Sequence, residues 1–307
     1  MNVILPDGNT LNLEEGATLA DAAQAIGAGL DKAALAGTVD GKLVDLTTPL
    51  SDGQTITIIT KKSPEALDLL RHSAAHVMAK ALQDLYGHVD FGIGPSIENG
   101  FYYDIRMDHT LTPEDLEKIE ERMNEIVHDG EPFTSQVITK EQAKEMFADQ
   151  PLKLELIDEL PDDEEISIYR LGDFVDLCRG PHLPSAAVLP TFKLTKLAGA
   201  YWRGDSDREM LQRVYGTAFF SKKELNQYLE NIAEAEKRDH RKIGKELGLF
   251  MLDEDAGVGL PLYPPKGARV IRLLQEWLRR DLYANGYQEV ITPHIYKSDV
   301  WKTSGHY

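Results

Sequence analysis

Residues 71–82 read RHSAAHVMAKAL and frame the middle of the chain. Leu67, Leu70, Ala74, Val77, Met78 and Leu82 recur around it at helical intervals, so the segment is one helix packing on a sizeable domain. Ser63 is its expected N-cap, with Pro64 at the first helical position and Glu65 in a first turn that favours negative charge. His72 and His76 lie four residues apart, on one side of the helix with Cβ atoms about 5–6 Å apart. They can converge on one atom or one water.

A second pair stands in DFVDLCRGPHLP, residues 173–184, where Cys178 is the only cysteine of the chain and His182 follows four residues later. Alternation from Phe174 to Cys178 predicts a strand with Val175 and Leu177 on the core face and Asp176 and Cys178 on the opposite one. Gly180-Pro181 must break that strand, and the turn can swing His182 back toward Cys178. Three imidazoles and a thiol form an acceptable tetrahedral zinc set. They equally suit a Cys nucleophile activated by a neighbouring imidazole, or a metal-free site in which imidazoles hold and polarise a water for attack on an ester. The residues alone leave all three open.

Working outward, residues 1–62 read as a small mixed module. Strands at Val3 to Leu5 and Leu11 to Leu13 flank Asp7-Gly8, and a helix capped by Thr18 carries Leu19, Ala22, Ala23 and Ile26 up to Gly27. Strands at Ala34 to Val39, Lys42 to Leu46 and Thr55 to Thr60 complete a ββαβββ order that suits a β-grasp module. The second domain, 63–225, continues with a helix from about Thr112-Pro113 to His128 and strand-like runs at Lys153 to Ile157 and Ser167 to Leu171. Residues 226–247 are a helical linker with a basic cluster, Lys237, Arg238, Arg241, Lys242 and Lys245, which suits either phosphate contact or a solvated helix face. From 248 to 307 a third pattern begins, an amphipathic helix followed by a strand stopped at Pro293, and it reads as the truncated opening of a further domain. The class is α+β throughout.

The 307 residues are 42% hydrophobic, enough for two or three cores. Against 51 Asp and Glu stand 33 Lys and Arg, a net charge of −18, which disfavours a general nucleic-acid binder held by its overall field and confines any such contact to local patches. The acidic run Asp158, Glu159, Asp162, Asp163, Glu164 and Glu165 reads as a solvated surface loop. The chain offers neither a membrane-spanning apolar stretch nor a secretory leader. A single cysteine excludes an intrachain disulfide, so a cytoplasmic location without membrane contact is expected.

With RHSAAHVMAKAL, GIGPSIENGFYYD, DLCRGPHLP, KLAGAYWRGDS, MLQRVYGTA and AEKRDHRKIGKEL in place, the chain closely resembles the N-terminal portion of the bacterial threonyl-tRNA synthetase family. That resemblance implies a β-grasp TGS domain, an α+β editing domain shared with alanyl-tRNA synthetases, and the beginning of a class II antiparallel-sheet catalytic domain with motif 1 around GYQEVITP. It places the editing residues on His72, His76, Lys153, Asp176, Cys178 and His182, with Gly94 and Tyr102 or Tyr103 lining the pocket. Lys193, Lys196 and Arg203 join the basic cluster as tRNA-binding candidates. The implied parent activity is ligation of threonine to tRNA(Thr) with ATP, Mg2+ and Zn2+ in a homodimer. Motifs 2 and 3 lie beyond this portion, so it is expected to remove serine from mischarged seryl-tRNA(Thr), with no cofactor required, and not to aminoacylate alone. A freestanding aminoacyl-tRNA deacylase is the first alternative, against which the motif 1 segment speaks. A non-enzymatic TGS-containing RNA-binding module is the second, against which the His and Cys constellation speaks.

Overall fold

A computed structural model describes residues 1–161, 164–257 and 259–305. The chain divides into two compact units, Met1–Leu229 and Glu230–Tyr307. The first begins with β1 (Asn2–Ile4), β2 (Thr10–Asn12), α1 (Leu19–Ile26), α2 (Ala28–Ala33), β3 (Ala34–Val39), β4 (Lys42–Val44) and β5 (Ile56–Thr60). Thr18 and Asp21 form a reciprocal capping box that starts α1, satisfying amide groups that the first turn leaves without partners. Antiparallel β1–β2 and β4–β3–β5 are joined by a parallel bridge from Ile4 to Thr55. Val3, Leu19, Ala22, Leu50 and Ile56 fill the space beneath. This is the expected β-grasp arrangement, with α2 an addition the sequence did not suggest.

The second module is built around α3 (Ala66–Tyr86), which carries the histidine pair. Every residue from Leu69 to Leu82 is buried except His72, which is half-buried. A helix covered on all sides needs small residues where neighbours press close, and Ala74, Ala75, Ala79 and Ala81 meet that need. Around it lie β6 (Asp90–Phe91), β7 (Ser96–Ile97), β8 (Gly100–Arg106), α4 (Pro113–Asp129), β9 (Phe133–Ile138), α5 (Lys140–Met146), α6 (Pro151–Glu159), β10 (Ile166–Leu171), β11 (Phe174–Leu177), β12 (Thr191–Tyr201) and β13 (Met210–Phe219). The larger sheet runs β12–β13–β8–β6, with β7 also on β8, and the smaller runs β11–β10–β9. Leu35, Ala36 and Ile59 of the first module share one apolar cluster with Leu69, Leu70, Val77 and Met78 of α3, so the two modules are packed together. Each of the larger side chains among these, fully buried, contributes about 1.5–3 kcal/mol.

Four local expectations are corrected. Helix α3 starts at Ala66 rather than at Pro64, because the Ser63 hydroxyl accepts the Thr60 amide at 3.0 Å and closes a turn instead of capping. Lys153 to Ile157 is helical, within α6, with Pro151 in its first turn and Leu152, Lys153 and Ile157 buried. On β11 the assignment of faces is reversed: Phe174 and Asp176 are buried, with Cys178 just beyond the strand on the same side, whereas Val175 and Leu177 are half-buried against a second, smaller cluster. The acidic run is only partly loop, since Asp158 and Glu159 end α6 and pair with Lys144 and Arg203, while Glu164 pairs with Arg179. Asp162 and Asp163 lie outside the described residues.

The unit boundary falls within α7 (Lys222–Lys237). Beyond it come α8 (His240–Glu246), the two-residue strands β14 (Met251–Leu252) and β15 (Pro261–Leu262), α9 (Pro265–Ala284) and α10 (Ser298–Ser304). The amphipathic helix expected after Leu260 is α9. The strand expected before Pro293 does not form among the described residues: 287–293 pair with no ladder, and Val290 and Ile291 are exposed. A strand needs a neighbour for its amide and carbonyl groups, and this unit offers none there. Among the described residues, no helix is long and apolar enough to cross a membrane.

Candidate active site

The paired histidines, the cysteine and the acid meet where α3 passes the loop after β11. His72 Nε2 lies 3.0 Å from Cys178 Sγ, and His182 Nε2 lies 3.3 Å from the same sulfur. The chain reverses at a cis Gly180-Pro181 bond, which brings His182 back as expected. The ring of His182 stacks on His72 with centroids 4.4 Å apart and lies 4.2 Å from that of His76. Ligand atoms of His72, His76, Cys178 and His182 all fall within 4.8 Å of one another.

Beside this group lies a buried ionic network. Asp176 is 2% exposed and Lys153 3%. Lys153 Nζ is in contact with Asp176 Oδ1, as an ion pair rather than an aligned hydrogen bond, and donates to the Tyr103 hydroxyl at 3.2 Å. Tyr103 donates to Asp176 Oδ2, and His76 Nε2 stands 3.4 Å from the same oxygen. Burial alone would raise the Asp176 pKa, but Lys153, His76 and Tyr103 together hold it below the usual carboxylate range. Burial drives the imidazoles the other way: His76 is pushed down to about 3, His72 is lowered and His182 lies well below its ordinary value. The Cys178 thiol is pushed up to about 12 by burial and by the charge of Asp176. At neutral pH the site therefore holds three neutral imidazoles and a protonated thiol.

Ser73, which sequence reasoning passed over, decides the state of His182. Its hydroxyl proton goes to the Leu69 carbonyl at 2.9 Å, the normal back-bond of a helical serine. Its lone pairs therefore accept, from the Leu183 amide at 2.9 Å and from His182 Nδ1 at 3.2 Å. His182 must then carry its proton on Nδ1 and turn a lone pair at Nε2 toward Cys178. Phe133 stacks on the His182 ring at 4.8 Å and Tyr169 meets it edge-on at 4.6 Å. The signal for Ser73 was its place in RHSAAH; Phe133, Tyr169 and Asp45, which also reaches this loop, gave none.

The remaining candidates divide. Tyr103 belongs to the site, and a Cβ on Gly94 would sit 2.3 Å from its ring, so only glycine lets that loop close over it. Tyr102 points to the other face of β8, where the Arg213 guanidinium covers its ring at 3.9 Å. Most of the basic candidates are paired: Lys193 with Glu120, Arg203 with Glu155 and Glu159, Lys237 and Arg238 with Glu234, and Arg241 with Asp239. Lys196 lies over the Tyr215 ring at 4.5 Å. Among the described residues Lys242 and Lys245 form no ion pair, so less positive field is on offer than the sequence suggests.

Residues 1–60 match the TGS domain family, and residues 166–215 match the family described as the threonyl and alanyl tRNA synthetase second additional domain. The latter stretch contains Asp176, Cys178 and His182. Over its whole length the chain is 52% identical to a threonine–tRNA ligase of Citrifermentans bemidjiense and to one of Geobacter sp. strain M21, and 50% identical to that of Staphylococcus epidermidis. It spans 48% of each relative, about half their length. Over its whole length the chain is thus similar to about half the length of these threonine–tRNA ligases, with a TGS domain match followed by a match to the second additional domain of threonyl and alanyl tRNA synthetases.

Proposed function

We propose that this site hydrolyses the ester between serine and the terminal adenosine of mischarged seryl-tRNA(Thr). The observation that carries the reading is the convergence of His72, His76, Cys178 and His182 within 4.8 Å of one another. Serine lacks one methyl group of threonine, and a pocket gains only about 10- to 200-fold discrimination from such a difference. A ligase that accepts threonine therefore needs a second pocket that removes serine.

Three neutral imidazoles give hydrogen-bond acceptors and bases for a water attacking the ester carbonyl. His72 is the half-buried member of the group, and in this reading it is the one that meets the incoming ester. The raised thiol pKa speaks against Cys178 as a thiolate nucleophile, and its S–H instead orders the two imidazoles that flank it. Asp176 orients His76 and holds Lys153, whose ammonium places positive charge beside the reacting carbonyl, where negative charge develops. His72→Ala should abolish deacylation, and an undiminished rate would overturn the reading.

The same four donors also suit Zn2+ by type and proximity. Bound there by His72, His76, Cys178 and His182, the ion would supply Lewis acidity toward a water or carbonyl. Elemental analysis of active protein, before and after chelation, separates the readings: activity that persists in metal-free protein supports the imidazole mechanism, and activity lost and restored with Zn2+ supports the other.

Ligation of threonine to tRNA(Thr) with ATP, Mg2+ and Zn2+ is our proposal for the whole enzyme, as are its homodimeric assembly, a class II catalytic domain beginning near residue 248, and a cytoplasmic location. Lys242, Lys245 and Lys196 are the proposed local contacts for tRNA.

A further inference from the structure

We propose that Asp45, in the TGS module, is a positioning residue for the hydrolytic site, fixing the Cys178–His182 loop from outside the module that carries it. This rests on the hydrolytic reading above and extends it to a residue beyond the matched 166–215 stretch. Asp45 follows β4 on a segment braced against α1: the Ala20 amide donates to the Leu46 carbonyl at 2.9 Å, and the Leu19 amide to that of Thr48 at 3.2 Å. From this mount, Asp45 Oδ1 accepts the His182 backbone amide at 3.0 Å and Oδ2 accepts the Tyr169 hydroxyl at 2.5 Å.

Both acceptors act on the same short loop. Tyr169, so held, sets its ring edge against the His182 imidazole. Its hydroxyl also fills the space beside Gly180, where an added Cβ would lie 1.9 Å away and where φ is +60°. Three amides of the loop have side-chain acceptors. Gly180 donates to Cys178 Sγ at 3.2 Å, His182 to Asp45, and Leu183 to Ser73. Ser73 anchors the loop from α3 and Asp45 from the opposite module. Without Asp45 the His182 amide loses its acceptor and the Tyr169 hydroxyl loses its carboxylate partner, so the loop loses the anchor nearest His182. Misplacement of reacting groups by about 1 Å can cost on the order of 100-fold in rate. The shared apolar cluster between the modules keeps the anchor stiff.

The test uses the full chain and the variants Asp45→Ala, Asp45→Asn and Tyr169→Phe, with two readouts and a melting curve for each. The first readout is kcat and KM for deacylation of seryl-tRNA(Thr). The second is the alkylation rate of Cys178 by iodoacetamide without substrate, which reports the loop directly because the chain has one cysteine. Asp45→Ala should lower kcat about 10- to 100-fold with KM changed far less, and should speed alkylation several-fold while the melting transition persists. Asp45→Asn keeps a carbonyl for the His182 amide and should recover most of the rate. Tyr169→Phe should fall between, and combined with Asp45→Ala it should add little, as expected of residues acting through one contact. Wild-type kcat and alkylation rate in Asp45→Ala would overturn the proposal, as would strictly additive losses. If the wild-type chain hydrolyses nothing, the hydrolytic reading fails by itself, while the alkylation series still decides whether Asp45 holds the loop.

Discussion

Lowering the pH should unfold the second module from its histidines inward, and the size of the effect follows from their burial. His76 titrates near 6.5 in an unfolded chain and is held down to about 3 in the folded one. Above about pH 6.5 neither state binds the proton and the group is neutral to stability. Between about 6.5 and 3 the unfolded chain takes up a proton that the folded chain refuses, so stability is lost as the pH falls. At about pH 5 the difference spans roughly 1.5 pH units, worth about 2 kcal/mol for His76 alone. His72 and His182 are shifted in the same direction by burial, so the total loss is larger. The assay is urea-dependent exposure of Cys178 in chelator-treated protein, read with a disulfide reagent that stays active in acid, at about pH 7.5 and 5. The difference between wild type and His76→Gln isolates one imidazole, and the variant should lose about 2 kcal/mol less over that interval. Equal losses in the two proteins would mean that His76 takes up its proton in the folded state as readily as in the unfolded one, contrary to this prediction.

Two further perturbations probe the groups around it. Lys153→Met strands the buried Asp176 carboxylate and should cost about 3–5 kcal/mol in the same urea titration; a stability unchanged from wild type would mean the pair is not buried together. Ser73→Ala removes the acceptor for the Leu183 amide and for His182 Nδ1, at a cost of about 1–3 kcal/mol. In nitrogen-detected NMR the wild-type His182 should show a protonated Nδ1 and an unprotonated Nε2, a preference the variant loses; the opposite wild-type tautomer would contradict the hydrogen-bond assignment.

What the sequence made legible was local. The four-residue spacing of His72 and His76 needs only helix geometry, and the return of His182 toward Cys178 needs only a strand broken by Gly180-Pro181. The alternation across β11 correctly put Asp176 and Cys178 on one side. It could not say that this side is the deeper one, because a paired charge can be buried and Lys153 comes from another element. Segment 152–157 misled because Leu152, Leu154 and Leu156 alternate like a strand, while Pro151 and the burial of Leu152, Lys153 and Ile157 belong to a helix. Ser73 and Asp45 meet the loop across 110 and 137 residues, a distance no local pattern spans. The basic cluster from Lys237 to Lys245 reads as a patch on paper but loses much of its field to Glu234 in α7 and to Asp239 at the N-cap of α8. The strand before Pro293 has the right composition and lacks a neighbour.

If the four converging side chains hold a serine ester and exclude threonine, this chain must release the two amino acids at different rates. That difference is tested most directly by the rates at which this chain deacylates seryl-tRNA(Thr) and threonyl-tRNA(Thr) under the same conditions. Serine should be released rapidly and threonine at a rate slower by at least about 10-fold, the lower end of what one methyl group can decide in a fitted pocket. Equal rates for the two esters, or release of threonine alone, would contradict a serine-selective site.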